Sequence, residues 1–159
     1  MPRYTTTLVL GALFGLTATQ PTLAQNADTS KATMIAVAAN DLSWTPIEVP
    51  GFPTGMKIAP IQGNPEAAEP YTLRLMFPDG YRFPPHWHPN TENVTVISGT
   101  IQLGMGDQVD DSKLKTYHPG DYLLLPGTMP HFGGAQGPTV IQLHGQGPFT
   151  INVVKNSAM

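Results

Sequence analysis

The chain has 159 residues, 40% of them hydrophobic, with 8 lysines and arginines against 11 acids for a net charge of −3, and it has no cysteine. That length suits one domain with a core of its own. The acidic balance, with no basic cluster beyond Lys113 and Lys115, argues against a nucleic-acid partner. The missing cysteines exclude disulfides and thiolate sites, leaving histidine and carboxylate as the strong metal donors.

Residues 1–24 read as a secretory signal: Arg3 near the start, an apolar run from Leu8 to Leu16, and small residues Thr22 and Ala24 before a cleavage point at Gln25. The expected location is therefore periplasmic or secreted. The apolar run is too short and too rich in Gly and Thr to span a membrane, so no membrane span is expected once the signal is removed. A single Arg does not make a twin-arginine signal, so the folded protein would acquire any metal after export. Residues 25–43 are small, polar and Ala-rich, which favours a flexible tether over an added edge strand.

The domain is expected over 44–159. Its first part carries Pro46, Pro50, Pro53, Pro60, Pro65 and Pro70 with Gly51, Gly55 and Gly63, a density that forbids long helices. Strands are predicted at 71–77, 82–88, 92–98, 100–104, 113–117, 121–126, 139–144 and 148–154, separated by turn residues. With no helical period and no internal repeat, the pattern is all-β: a small antiparallel barrel, single domain.

One stretch carries chemistry: Gly80-Tyr-Arg-Phe-Pro-Pro-His86-Trp-His88-Pro-Asn-Thr-Glu92, running on to Gly99. On a strand His86 and His88 share a face while Trp87 points the other way, toward core or interface. Pro84, Pro85 and Pro89 keep the segment out of a helix. Glu92 opens the next strand and can return to the same pocket. Imidazole with carboxylate suits one divalent transition metal ion such as Mn, Fe, Ni, Cu or Zn. His118, before Pro119-Gly120 at a turn, falls outside this spacing and is expected in solvent.

The stretch resembles the first motif of the cupin family: Gly, five residues, His-x-His, three or four residues, Glu, six residues, Gly. Gly120-Asp-Tyr-Leu-Leu-Leu-Pro126-Gly-Thr-Met-Pro-His131 is similar to the second, departing with Thr128 where Gly is usual and Ala135 where Asn is usual. The resemblance covers roughly residues 70 to 155. Pro-His-Trp-His-Pro, Gly-Met-Gly-Asp at 104–107 and Gln142-Leu-His144-Gly-Gln-Gly-Pro148-Phe also look like a group of single-domain exported bacterial cupins. The resemblance implies a cupin-type jelly-roll barrel, with His131 joining His86, His88 and Glu92 as the metal ligands. It implies pairing as a homodimer, through an edge sheet or a swapped N-terminal segment. In cupins such sites support dioxygenase, oxalate-degrading, isomerase and lyase reactions, so the fold does not fix the reaction.

Other pocket candidates follow from alternation. Gln142 and His144 share a face, expected to line the pocket mouth, where Gln142 could bind substrate. His144 could be an acid or base, or satisfy a buried hydrogen bond, with the second reading favoured. Arg74 could clamp a substrate carboxylate, although snorkelling to the barrel rim is favoured. Gln102, Tyr122 and Tyr81 are candidates for the pocket wall, Tyr122 also for proton transfer. The sequon Asn93-Val-Thr95 sits in a predicted strand beside Glu92 and is discounted, and Gly106 to Asp111 reads as a solvated hairpin tip. The favoured function is a metal-dependent oxidoreductase of the dioxygenase type acting on a small oxygen-donor molecule. The alternative is a module that binds a small ligand or metal outside the cytoplasm without turnover.

Overall fold

The computed structural model describes residues 33–155. The signal expected over 1–24 lies outside them. Short 3-10 turns at Ala39–Asp41 and Asp111–Lys113 are the helical pieces among the described residues, and the rest is strand and loop. In chain order the strands are β1 Thr45–Pro46, β2 Lys57–Gln62, β3 Pro70–Phe77, β4 Arg82–Trp87, β5 Glu92–Met105, β6 Lys115–Tyr117, β7 Tyr122–Leu125, β8 His131–Gln146 and β9 Asn152–Val153.

Among the described residues every strand pairing is antiparallel, and the sheet curls into a jelly-roll half-barrel, as expected. Two long strands carry it. β5 and β8 pair from Glu92↔Gly145 to Met105↔His131, and the register shifts between Val96 and Thr100. There Gly99 and Gly137 adopt positive φ, and a side chain at Gly99 would run into the Pro138 carbonyl and Thr139 Oγ1. This bulge bends both strands. The later half of β8 pairs with β3 and the early half with β4, while β5 carries β7 and β6 on its other edge.

The runs expected at 92–98 and 100–104 are thus one strand bent at its glycine. Residues 131–138, expected as turn, are the first half of β8. Their glycines are required by close approach: a Cβ at Gly133 would meet the Gln102 carbonyl, and one at Gly134 the Tyr81 carbonyl. The strand expected at 148–154 shrinks to Asn152–Val153, and that at 113–117 to Lys115–Tyr117.

Alternation decides what faces in. Leu73, Leu75, Phe77, Val94, Val96, Ile101, Leu103, Leu123, Leu125, Ile141 and Leu143 form the core. Each such side chain contributes about 1.5–3 kcal/mol when fully buried. Against this wall the buried polar residues stand out: His86, His88, Glu92, His131 and Thr139. Thr139 is satisfied by hydrogen bonds at the bulge, where its hydroxyl donates to carbonyl oxygens of Thr100 or Gly137 and accepts from the Thr100 amide. The other four lie together.

Candidate metal centre

His86 on β4 stands directly opposite His131, the first residue of β8. His88 follows β4 by one residue, and the alternation that turns Trp87 away brings its ring back to the same side. The ring centroids are 4.3 Å apart for His86 and His131, 5.0 Å for His86 and His88, and 5.3 Å for His88 and His131. One nitrogen from each ring lies within 4.8 Å of those of the other two, so the three can share a metal ion.

The free nitrogen follows from the hydrogen bonds. Nδ1 of His86 lies 2.8 Å from the Pro84 carbonyl, Nδ1 of His88 2.8 Å from the Thr150 carbonyl, and Nδ1 of His131 3.2 Å from the Met129 carbonyl. A carbonyl only accepts, so each Nδ1 carries the proton and each Nε2 keeps its lone pair. Burial pushes the His88 and His131 pKa values down to about 4, and burial, with help from its imidazole neighbours, holds that of His86 well below 6.5. All three are neutral at pH 7, the form that binds metal.

Glu92 opens β5 beside them, 4% exposed. Its Oε2 lies 3.3 Å from Nε2 of His88, and its Oε1 has no hydrogen-bond partner. The contact is not an ion pair, because burial keeps His88 neutral. It sets two acceptors face to face, which is repulsive unless a proton or cation lies between them. Burial raises the Glu92 pKa to about 8, so without a cation the carboxyl holds a proton at neutral pH. Three imidazole lone pairs within reach of one another, and a carboxylate with an orphaned oxygen that contacts His88 and lines the same cavity, fit a divalent ion of the borderline class.

Aromatic rings frame the cluster. Phe149 stacks on His88 with centroids 5.3 Å apart, Phe52 meets His86 edge-on at 4.9 Å, and Phe83 does so at 5.6 Å. Tyr71 on β3 pairs with Gly145 on one side of β8 as Glu92 does on the other. Burial, and secondarily Glu92, push its phenol pKa up. Phe52, Phe149 and Tyr71 were not among the sequence candidates. Phe52 and Phe149 lie in loops, where no periodicity reveals direction. Tyr71 had a readable signal, because it shares the inward phase of Leu73 and Leu75.

The remaining candidates lie elsewhere. His144 is exposed, and Gln142 accepts a 3.2 Å hydrogen bond from Nε of Arg74, so these three are on the outer face of β3 and β8. Gln102 donates to Thr116 at 3.4 Å, and Tyr122, 55% exposed, donates its hydroxyl to Asn93 at 2.6 Å. The favoured reading of Arg74 puts it at the barrel rim; the expectation that Gln102, Tyr122, Gln142 and His144 line the pocket is corrected by one cause. Their immediate neighbours Ile101, Leu103, Leu123, Ile141 and Leu143 take the inward phase, which leaves polar side chains to solvent. Tyr81 is buried but donates to the Pro53 carbonyl at 2.8 Å and borders a separate surface cleft of about 500 Å³. Trp87 is half-buried and His118 is exposed.

Comparison with known proteins agrees with this geometry. The family described as "Cupin domain" matches residues 73–143, which run from β3 through most of β8. Germin-like protein subfamily 1 member 7 of Arabidopsis thaliana is 34% identical over 89 residues, 51% of this chain and 39% of that protein. The chain thus spans about two-fifths of the length of that relative. The polyketide cyclase RemF of Streptomyces resistomycificus superposes with a TM-score of 0.65 at 17% identity, covering 79% of this chain and 88% of that one. A protein assigned as an acetylacetone dioxygenase from Methylibium petroleiphilum PM1 gives 0.61 at 17%, covering 81% and 87%. At such identity these likenesses speak for the fold. The cupin-domain match over residues 73–143 and the germin-like relative, together with this fold, support membership of the cupin superfamily.

Proposed function

We propose that this cupin is exported and holds one divalent transition metal through His86, His88, His131 and Glu92, using it on a small oxygen-donor molecule in a dioxygenase-type oxidation. The observation that carries the reading is the set of three neutral imidazoles whose Nε2 atoms have no proton, in one buried cavity with Glu92, whose Oε1 has no partner and whose Oε2 contacts His88. When bound, the ion would supply Lewis-acid or redox chemistry at coordination positions left open by four protein ligands. The chain's own part is to orient the donors through the three backbone carbonyls and to exclude water with Phe52 and Phe149. The decisive experiment is elemental analysis after identical purification of wild type, His88→Ala and His118→Ala. About one ion per chain in the first and last, with little in His88→Ala, is expected; equal content in all three would sink the assignment. An oxygen-consumption screen of the reconstituted protein then tests the reaction.

One observation favours a second reading, a binding module without turnover. Among the described residues the cavity wall offers no ionisable side chain besides the four proposed ligands, and burial pushes the nearby Tyr71 phenol up, so no separate acid or base stands ready at neutral pH. Failure of every oxygen-donor substrate to be turned over by metal-loaded protein would favour it.

Export is supported by Arg3, the Leu8–Leu16 run and Ala24. Mass spectrometry from an exporting host should find a chain beginning at Gln25, and an uncleaved cytoplasmic species would count against export. Pairing as a homodimer is supported by the short edge strands β1 and β9, which leave backbone groups to cover. Light scattering that finds only monomer at micromolar concentration would reject it.

A further inference from the structure

We propose that the pocket selects a small, singly charged oxygen-donor ligand with an apolar body, and discriminates against dianions such as oxalate. The inference rests on the metal reading above and takes it a step further, from the ligands of the ion to the charge of what joins them. The cavity at the imidazoles is about 50 Å³, comparable to the share of liquid volume taken by one or two water molecules. Beyond the three histidines and Glu92 its wall is wholly apolar, with Leu75, Phe77, Val94, Leu123, Ile141 and Leu143 among the side chains. Among the described residues, no lysine, arginine, hydroxyl or amide side chain lines it. Arg74, next to Leu75 in the chain, is turned to the outer face and tied to Gln142.

Charge counting then decides the class. A divalent ion, one carboxylate and three neutral imidazoles sum to a single positive charge. A monoanionic ligand brings the buried centre to zero. A dianion leaves one negative charge facing hydrocarbon, with no donor or cation to answer it, and burying such a charge is costly. A neutral ligand leaves the centre positive. The apolar wall rewards a hydrocarbon body on the ligand, and the cavity limits that body to a few heavy atoms unless Phe52 or Phe149 gives way.

The test compares two chelators of similar size and equal ring size, acetohydroxamate, which binds metals as a monoanion, and oxalate, a dianion. Wild-type protein loaded with Zn(II) is titrated with each by calorimetry, and metal content is measured afterwards to confirm that the ion stays bound. Each affinity is divided by that for the same ion free in the same buffer, which removes the intrinsic preference of zinc. The corrected ratio should favour acetohydroxamate by at least tenfold, the equivalent of about 1.4 kcal/mol. An unchanged ratio, a ratio favouring oxalate, or no binding of either chelator by zinc-loaded protein overturns this inference while leaving the metal site standing. Failure to retain zinc before any chelator is added overturns the metal reading itself, and this inference with it.

Discussion

Phe149 lies flat on the imidazole of His88, ring planes 12° from parallel, and the next residue, Thr150, accepts the hydrogen bond from Nδ1 of that same imidazole. Two consecutive residues after β8 thus hold one ring, one by its face and the other by its edge. Phe149→Ala should keep the Thr150 bond and lose the stack. The stack is worth about 0.5–1.5 kcal/mol beyond area burial, so a loss of about 1–3 kcal/mol is expected once the half-buried ring's apolar contacts are included. Chelator should also strip metal faster from this variant, because the mouth is wider. Denaturant unfolding and a timed chelation assay check the two effects, with Phe149→Tyr expected near wild type in both.

Glu92→Gln separates a ligand from a packing residue. Burial keeps the carboxyl protonated at neutral pH when no cation is bound, with a pKa near 8, so the amide replaces a neutral group of nearly equal shape. The metal-free variant should therefore match wild-type stability within about 1 kcal/mol at pH 7. Its metal affinity should fall by a factor on the order of ten to a hundred, since the anionic donor is gone. Metal titration followed by thermal unfolding distinguishes the outcomes; a large stability loss with unchanged metal affinity would return Glu92 to a structural role.

How far the sequence carries the site can be judged from particular residues. The His-x-His spacing needs only the alternation of one strand, and Glu92 and His131 follow from family motifs, so the four buried polar residues were legible. The outer candidates were misplaced because alternation gives two faces without saying which is the core. Gln102, Tyr122, Gln142 and His144 take the polar phase, which is expected to face the pocket, whereas Ile101, Leu123, Ile141 and Leu143 fill the interior. The glycines of β8 were read as a turn because their reason, a neighbouring carbonyl within reach of any Cβ, exists only after strands pair.

His144→Gln should accordingly be silent. The side chain is exposed on the outer face, while the backbone pairs with Thr72 and Asn93 and its carbonyl accepts from the Asn93 side-chain amide at 3.1 Å. Exposed substitutions of this kind stay within about 0.5 kcal/mol. Unchanged metal content and unfolding midpoint are expected, and a marked fall in metal content would mean that His144 reaches the centre after all.

The metal-free protein should be acid-labile in a defined window. Burial holds His88 and His131 near pH 4 and His86 well below 6.5, so between these values the unfolded chain binds protons that the folded chain refuses. Stability therefore falls as pH drops from about 6.5 toward 4, by up to about 1.4 kcal/mol per unit for each histidine. Glu92 acts in the opposite sense. Its raised pKa lets the folded state keep a proton that the unfolded chain loses above about 4.5, so its effect erodes stability as pH rises to about 8. Three imidazoles against one carboxyl place the optimum near neutrality. Urea unfolding of chelated protein across pH 4 to 9 checks this, and a flat profile below pH 6.5 would show that the imidazoles are not held neutral by burial.

Thr128 is the departure from the family pattern with a physical consequence. It stands where the second motif usually has Gly, and its φ is +64°, the left-handed region that a β-branched residue occupies at a cost. The conformation is imposed by its surroundings: its amide donates to the His88 carbonyl at 2.7 Å, and the Met129 amide reaches back to Pro126 at 3.4 Å. This turn sets the position of Met129, whose carbonyl in turn holds Nδ1 of His131. The side chain itself is exposed and does none of this. Thr128→Gly removes about 1–2 kcal/mol of steric strain but gives back part of it through the freer unfolded chain, leaving a net gain of roughly 0.5–1 kcal/mol. Thr128→Ala, which keeps a Cβ, should gain little, and Thr128→Pro should fail because it removes the amide that His88 needs. Chemical denaturation of the three variants, with metal content measured in parallel, tests the ordering. A glycine variant less stable than wild type would show that the threonine side chain holds the turn by contacts rather than straining it.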